Sequence, residues 1–244
     1  MITGAASGIG AAAAMVFAGH GARVVLGDID EKGGHETAAR VNQNGGEAVF
    51  VPADVTSARD VADLVRATVD RFGQLDCALN NAGVDGVVTP LHESTEENWQ
   101  QVLAVNLTGV WLCLKYEIGQ MLESGSGAVV NVSSVAGVVG FGQGMSAYVA
   151  AKHGVVGLTR AAALEYATRG IRVNAICPAA VRTAMLDDSI RQGVVTEEQA
   201  GALQPMRRIG EPTEIAETAA WLCSDAASFV TGHAMAVDGG LTAG

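Results

Sequence analysis

The stretch SAYVAAKHG sets Tyr148 and Lys152 four residues apart in a run of helical period, hence on one face. A free tyrosine has a pKa of about 10 and exchanges protons poorly at neutral pH. An ammonium beside it favours the phenolate and draws that pKa toward the working range, as a general acid/base requires. Alone, a Tyr/Lys pair at this spacing is a common surface pattern, but here it has company. VVNVSSVAG ends a β-branched run in Ser133 and Ser134, the latter fourteen residues before Tyr148. A hydroxyl at a strand's C-terminal end faces the crevice where open α/β sheets bind ligands. LAVNLTGVW sets Asn106 in an otherwise apolar helical segment, where an amide is intrinsically unfavourable and needs a reason.

A second group of residues suits a phosphate-bearing ligand. In MITGAASGIGAAAAMVF, Gly4, Gly8 and Gly10 fall where a strand end becomes a helix start. Glycines there let the backbone approach a pyrophosphate, whose charge the helix N-terminus stabilises. The bland alternative is a turn that needs glycine for its dihedrals, so context decides. The next β-branched run, ARVVLGD, ends in Asp28, eighteen residues after Gly10, where a carboxylate can accept hydrogen bonds from an adenosine ribose. The same carboxylate would repel a 2′-phosphate, and Ala5, Ala6 and Ser7 supply no cation to compensate. NAD is therefore favoured over NADP, the alternative being an aspartate that merely caps its strand.

The elements that must position these groups follow from periodicity. Short runs (ARVVLGD, EAVFVPAD, QLDCALNNAG, GAVVNVSS, IRVNAICP) alternate with helical stretches at Ala11 to Gly19, Glu31 to Asn44, Ala58 to Phe72, Glu96 to Glu123 and Ala147 to Thr168. That alternation predicts βαβ units and a parallel sheet covered on both faces. The 244 residues fit one domain with one sizeable core, and no linker or composition shift divides them. Residues 184–204 are the least regular and most polar part of the second half and read as a mobile helical flap.

Composition narrows the partners. A net charge of −11 without a basic stripe argues against nucleic acid. Apolar stretches are broken by charges before the roughly 20 residues of a membrane span, so no membrane association is expected. Cys77, Cys113, Cys177 and Cys223 lie far apart in apolar surroundings without CxxC spacing, which predicts buried reduced thiols and no metal site. With no signal peptide in view, a cytoplasmic location is expected. His92, His153 and Trp111 read as packing or surface residues.

Taken together, TGxxxGIG, Asp28, the Ala53-Asp54 pair, NNAG at Asn80 to Gly83, Asn106, the serine pair, YxxxK and the terminal VDGG resemble the short-chain dehydrogenase/reductase family. The resemblance runs from residue 1 to about 240 with the motifs in order. It implies a Rossmann-type, doubly wound, seven-stranded parallel sheet and a nicotinamide cofactor. Tyr148 would be the acid/base, Ser134 would hold and polarise the substrate oxygen, and Lys152 would bind the nicotinamide ribose and lower the Tyr148 pKa. Asn106 would hold a water that relays protons from Lys152. Asp54 would contact adenine, Asn81 the adenosine ribose region and Thr183 the nicotinamide carboxamide. The implied cofactor cradle is completed by Ser7, Ile9, Ile29, Val55, Ala82, Gly83, Pro178 and Val181. A homotetramer, or a homodimer, is implied by the C-terminal segment.

Three departures from the family pattern matter. Pro178 is followed by Ala179 where the family usually has glycine, and a methyl group there could crowd the nicotinamide. The serine-to-tyrosine spacing exceeds the common value by one, an extra residue that fits the glycine-rich loop GVVGFGQGMSAY and leaves Ser134 as the candidate. Only Met1, Ile2 and Thr3 precede Gly4, too few for a central strand. Met1 is therefore expected to be an internal methionine of a longer native chain.

The expected walls of the substrate site are Val135, Phe141, Met145, Ala184, Met185 and Leu186, mostly apolar. They suit a secondary alcohol or ketone on a cyclic or aliphatic frame, oxidised or reduced with NAD(H). The alternatives are an NADPH-dependent carbonyl or 3-ketoacyl reductase and a non-catalytic NAD-binding scaffold.

Overall fold

The computed structural model describes residues 1–142, 144–191 and 193–243. Seven strands form one parallel sheet: β1 (Ile2–Thr3), β2 (Arg23–Asp28), β3 (Glu47–Pro52), β4 (Cys77–Asn80), β5 (Gly127–Val132), β6 (Ile171–Pro178) and β7 (Ala234–Val237). Their spatial order is β3-β2-β1-β4-β5-β6-β7, the doubly wound Rossmann-type arrangement that the motifs imply. Strand residues alternate between two cores. Val24, Leu26, Val130 and Ile176 face one, while Val25, Val129 and Val173 face the other. Because both faces are buried, the strands read as nearly continuous apolar runs.

Helices α1 (Gly8–Gly19), α2 (Glu31–Gln43) and α9 (Pro212–Cys223) cover the first face. Helices α3 (Ala58–Phe72), α5 (Val110–Ser124) and α6 (Ser146–Tyr166) cover the second. Their ends follow local chemistry. The Ser57 hydroxyl accepts from the Asp60 N–H at the start of α3, and Gly73 closes that helix in the left-handed region at φ 90°. Helix α4 (Glu96–Leu103) runs through a π-helical turn, Ala104–Gly109, into α5. Together they span 29 residues and contain an 18-residue window of mean hydropathy 1.2, long and apolar enough for a membrane span, which the charge spacing had not suggested. The apolarity is used inside the fold, since Val110, Leu114, Ile118 and Met121 pack against the sheet.

Two expectations, the start of α1 and the burial of all four cysteines, need adjustment. Helix α1 begins at Gly8 rather than Ala11, because the last two glycines of the turn already form its first turn. Strand β1 is only two residues long yet central, pairing with β2 and β4, and the Leu79 N–H donates to the Met1 carbonyl at 2.9 Å. Cys113 and Cys177 are buried free thiols, whereas Cys77 and Cys223 are half-buried, since they meet where the start of β4 passes the end of α9. The polar segment after β6 forms α7 (Ala184–Arg191) and α8 (Glu197–Ala202). Gln192 in that segment and Gln143 in the loop before α6 lie outside the described residues.

Candidate active site

A cleft of about 510 Å³ opens where β1 and β4 diverge in connectivity, at the C-terminal ends of the strands. All but two of the residues named from the sequence as catalytic or cofactor-contacting line it. The exceptions, Gly10 and Asn106, stand behind its wall and shape it. A Cβ on Gly10 would overlap the Gly4 carbonyl oxygen and lie 2.8 Å from Asn81 Nδ2, so only glycine lets helix and strand meet. Asn81 in turn donates from Nδ2 to the carbonyls of Thr3 at 3.1 Å and Gly4 at 2.9 Å. Its amide straps the glycine turn to the end of β4.

The turn fits a pyrophosphate. Helix α1 starts after an extended Ser7 whose side chain makes no capping hydrogen bond, with no acidic residue in its first turn. The leading N–H groups therefore lack a side-chain partner, and the positive end of the helix dipole faces the cleft. Asp28 accepts from the N–H groups of Ala6 and Asp30, each at 2.9 Å, which fixes its carboxylate beside the turn and leaves lone pairs for ribose hydroxyls. The strand-capping and ligand-binding readings of Asp28 are thus compatible. Asp54 is tied by the N–H and hydroxyl of Thr56, both at 2.8 Å. Thr183 sits against Gly8, where a Cβ would lie 3.1 Å from its methyl group.

At the other end of the cleft, α6 presents Tyr148 and Lys152 on one face, with Lys152 Nζ 5.4 Å from the Tyr148 ring centre. Lys152 is buried and donates to the Val132 carbonyl at 2.9 Å, which ties α6 to the end of β5. Burial lowers its pKa to about 8, with the Asp85 carboxylate pulling the other way. Burial also pushes the Tyr148 hydroxyl well above its ordinary value; Asp85 adds to that rise and a hydrogen bond with Ser134 opposes it. The two adjacent serines have different surroundings. Ser133 donates to the Lys152 carbonyl at 2.9 Å and is buried. Ser134 caps the short turn after β5, accepting from the Ala136 N–H at 3.1 Å.

Asn106 lies in the π-turn, a feature that often marks functional positions in helices. Its side chain grips one peptide unit, accepting from the Val84 N–H at 2.9 Å and donating to the Val84 carbonyl at 2.7 Å. This pairing fixes the Asn106 amide against the loop that follows β4. His92 and His153 are exposed, and Trp111 stacks near Lys115 on the outer face of α5. None of the three lines the cleft.

Two acids escape the sequence reading. Asp85 lines the cleft two residues after the NNAG turn; the signal was present as an acid followed by glycine, but it belongs to no periodic pattern. Glu117 is fully buried in α5 and accepts from Asn80 Nδ2 at 3.0 Å, while the same nitrogen also donates to Asn131 at 3.0 Å and Asn131 donates to Thr159. A glutamate in the apolar run WLCLKYEIGQML could have signalled that chain of polar groups.

The arrangement of cleft, glycine turn and paired Tyr148 and Lys152 has close relatives. The adh_short_C2 family model, described as enoyl-(acyl carrier protein) reductase, matches residues 4–242. The chain is 44% identical to the short chain dehydrogenase/reductase astE of Aspergillus oryzae, over 99% of its own length and 94% of the relative's. It is 45% identical to a 2,5-dichloro-2,5-cyclohexadiene-1,4-diol dehydrogenase of Sphingobium indicum, over 100% and 96%. The crystal structure of levodione reductase superposes with a TM-score of 0.95 at 41% identity, covering 99% of this chain and 96% of that one. Fold, motif order and full-length similarity agree, and the chain belongs to the short-chain dehydrogenase/reductase family.

Proposed function

We propose that this chain is an NAD(H)-dependent oxidoreductase that interconverts a secondary alcohol on a mainly apolar, cyclic frame and the corresponding ketone. The observation that carries the reading is the convergence of Ser134, Tyr148 and Lys152 at one end of a mainly apolar cleft whose other end carries the uncapped start of α1 and Asp28. The relatives support it: one is named for a cyclic diol. When bound, the oxidised cofactor supplies the hydride acceptor and a positively charged ring.

The chain's own residues do the rest. Ser134 hydrogen-bonds the substrate oxygen, and Tyr148 takes the hydroxyl proton as the carbinol C–H bond breaks. The reverse reaction returns that proton to the carbonyl oxygen. Lys152 holds its ammonium near the phenol, favours the phenolate and releases the proton outward through a water held at Asn106. Fixed geometry and charge supply most of the acceleration. Burial, with Asp85 adding to it, holds the Tyr148 proton on, so nearby positive charge is required before the phenol can act as a base at neutral pH.

Asp28 supports NAD over NADP, because its carboxylate would meet a 2′-phosphate with like charge. Residues 184–204 act as a flap over the substrate; Met185 and Leu203 are part of the cleft lining. The family resemblance further supports a homotetramer or homodimer, and light scattering tests the assembly. For the cofactor, NADH and NADPH are titrated against intrinsic fluorescence. NADH binding at least tenfold tighter is expected, and Asp28→Ala narrows that gap. Tighter binding of NADPH would overturn the assignment and favour an NADPH-dependent carbonyl reductase instead.

A further inference from the structure

Resting on the reading of the cleft as a secondary-alcohol site, we propose that Asp85 is a second polar anchor for the substrate. Its carboxylate accepts a hydrogen bond from a further hydroxyl on the ring, so the preferred substrate is a cyclic diol rather than a monohydric alcohol or a ring hydroxy acid.

The loop that carries Asp85 is held from both sides. Val84 is gripped by the Asn106 amide through its N–H at 2.9 Å and its carbonyl at 2.7 Å. Val87 is gripped in the same way by Asn98, whose Oδ1 accepts at 2.8 Å and whose Nδ2 donates at 3.3 Å. Between them Gly86 has φ +73°, and a Cβ there would lie 2.7 Å from Asn98 Oδ1, so the loop closes tightly onto α4. Two asparagines on one helical segment thus fix the backbone on both sides of a single aspartate. Fixing of that kind is what a side chain needs if it is to meet a ligand at one place.

The carboxylate so held is half-buried, lines the cleft, and among the described residues takes part in no hydrogen bond or ion pair. Desolvating a carboxylate without a hydrogen-bond partner costs free energy and contributes nothing to the fold. Burial raises its pKa, opposed by the Lys152 ammonium, and its charge in turn raises the pKa of both Tyr148 and Lys152. Two residues before Asp85, a Cβ on Gly83 would lie 3.7 Å from Lys152 Nζ, which sets the aspartate's loop at the reacting end of the cleft, where Val135, Met145 and Met185 offer only apolar walls. Ser134 and Tyr148 take the reacting oxygen, and Asp85 is left to meet another polar group. A hydroxyl fits as donor, whereas a ring carboxylate would meet like charge.

The test compares kcat/KM with NAD⁺ for cyclohexanediols, cyclohexanol and 4-hydroxycyclohexanecarboxylate in the wild type, Asp85→Ala and Asp85→Asn. Losing a hydrogen bond to a charged group should lower the diol-to-cyclohexanol ratio of kcat/KM about 10- to 100-fold in Asp85→Ala, mainly through KM. Asp85→Asn should recover part of that ratio and raise turnover of the hydroxy acid. A readout independent of turnover is calorimetric titration of the diol into the NAD⁺-loaded Tyr148→Phe variant, where adding Asp85→Ala should weaken binding by a similar factor. An equal fall for diol and cyclohexanol would make Asp85 an electrostatic neighbour of Tyr148 only and would overturn the proposal, as would unchanged diol affinity. Cyclohexanol oxidation that depends on Tyr148 upholds the underlying reading whatever Asp85 does. A wild type that binds NADH but neither binds nor oxidises any ring alcohol overturns both.

Discussion

Tyr148 carries the heaviest demand at the site, because its surroundings hold its proton on while its proposed role needs the proton to leave. Lys152 is the adjacent cation, and burial has brought its own pKa down to about 8. Removing that cation in Lys152→Met should move the rise of kcat/KM for alcohol oxidation toward higher pH and lower the rate at pH 7 about 10- to 100-fold. A pH–rate profile of the two proteins checks this; superimposable profiles would remove Lys152 from the proton step. Tyr148, Lys152, Ser134 and Asp28 were legible in the sequence because each lies at a fixed offset from a strand end or along a helix. Asp85 was not, since its position is set by Asn98 and Asn106, thirteen and twenty-one residues further along the chain. Contacts between a loop and a later helix leave no period to read.

The π-turn between α4 and α5 is the element on which the cleft's second wall depends. It brings Asn106 against Val84, and replacing the amide by alanine would leave one backbone N–H and one carbonyl without that partner. Asn106→Ala should therefore cost about 1–3 kcal/mol of stability and speed amide exchange at Val84. Denaturant midpoints and hydrogen exchange measure the two effects, and unchanged exchange at Val84 would contradict the assigned contact. At this scale the sequence was a good guide where helix and strand periods run uninterrupted: α3 spans Ala58–Phe72 as its apolar period requires. It guided less well where a rule is broken for a purpose. Glycines that read as a turn form the first turn of α1, and one continuous period across Glu96 to Glu123 conceals a change of helix type at Asn106. Strand β1 is as short as the three residues before Gly4 allow, and its neighbours β2 and β4 hold it from both sides.

Across the whole molecule, the doubly wound sheet delivers residues from β1, β2, β4, β5 and β6 to one edge, which is why motifs spread through the chain meet in one cleft. The same sheet buries Glu117, whose pKa burial raises to about 7 against the opposing pull of the Asn80 hydrogen bond. The sign follows from the raised value: the folded state holds this proton more tightly than the unfolded one. Its contribution is most favourable below pH about 4.5 and is lost as pH rises to about 7. The shift corresponds to roughly 3 kcal/mol. Glu117→Gln should flatten that stretch of the stability–pH curve and raise stability at pH 8, because glutamine stays neutral and offers a donor near the unpaired Asn80 Oδ1. Denaturant midpoints from pH 5 to pH 8 check it, and an unchanged slope would show that Glu117 titrates normally.

Absorbance at the NADH band measures turnover of a cyclic alcohol directly. The wild type and Tyr148→Phe are each given NAD⁺ and a panel of cyclic diols, cyclohexanols, sterols, sugars and simple secondary alcohols. The prediction is NADH formation with a cyclic alcohol that falls by about 10²- to 10⁴-fold in Tyr148→Phe while NADH binding persists. NADH formation that survives the substitution, or binding of NADH with no member of the panel oxidised, would contradict it.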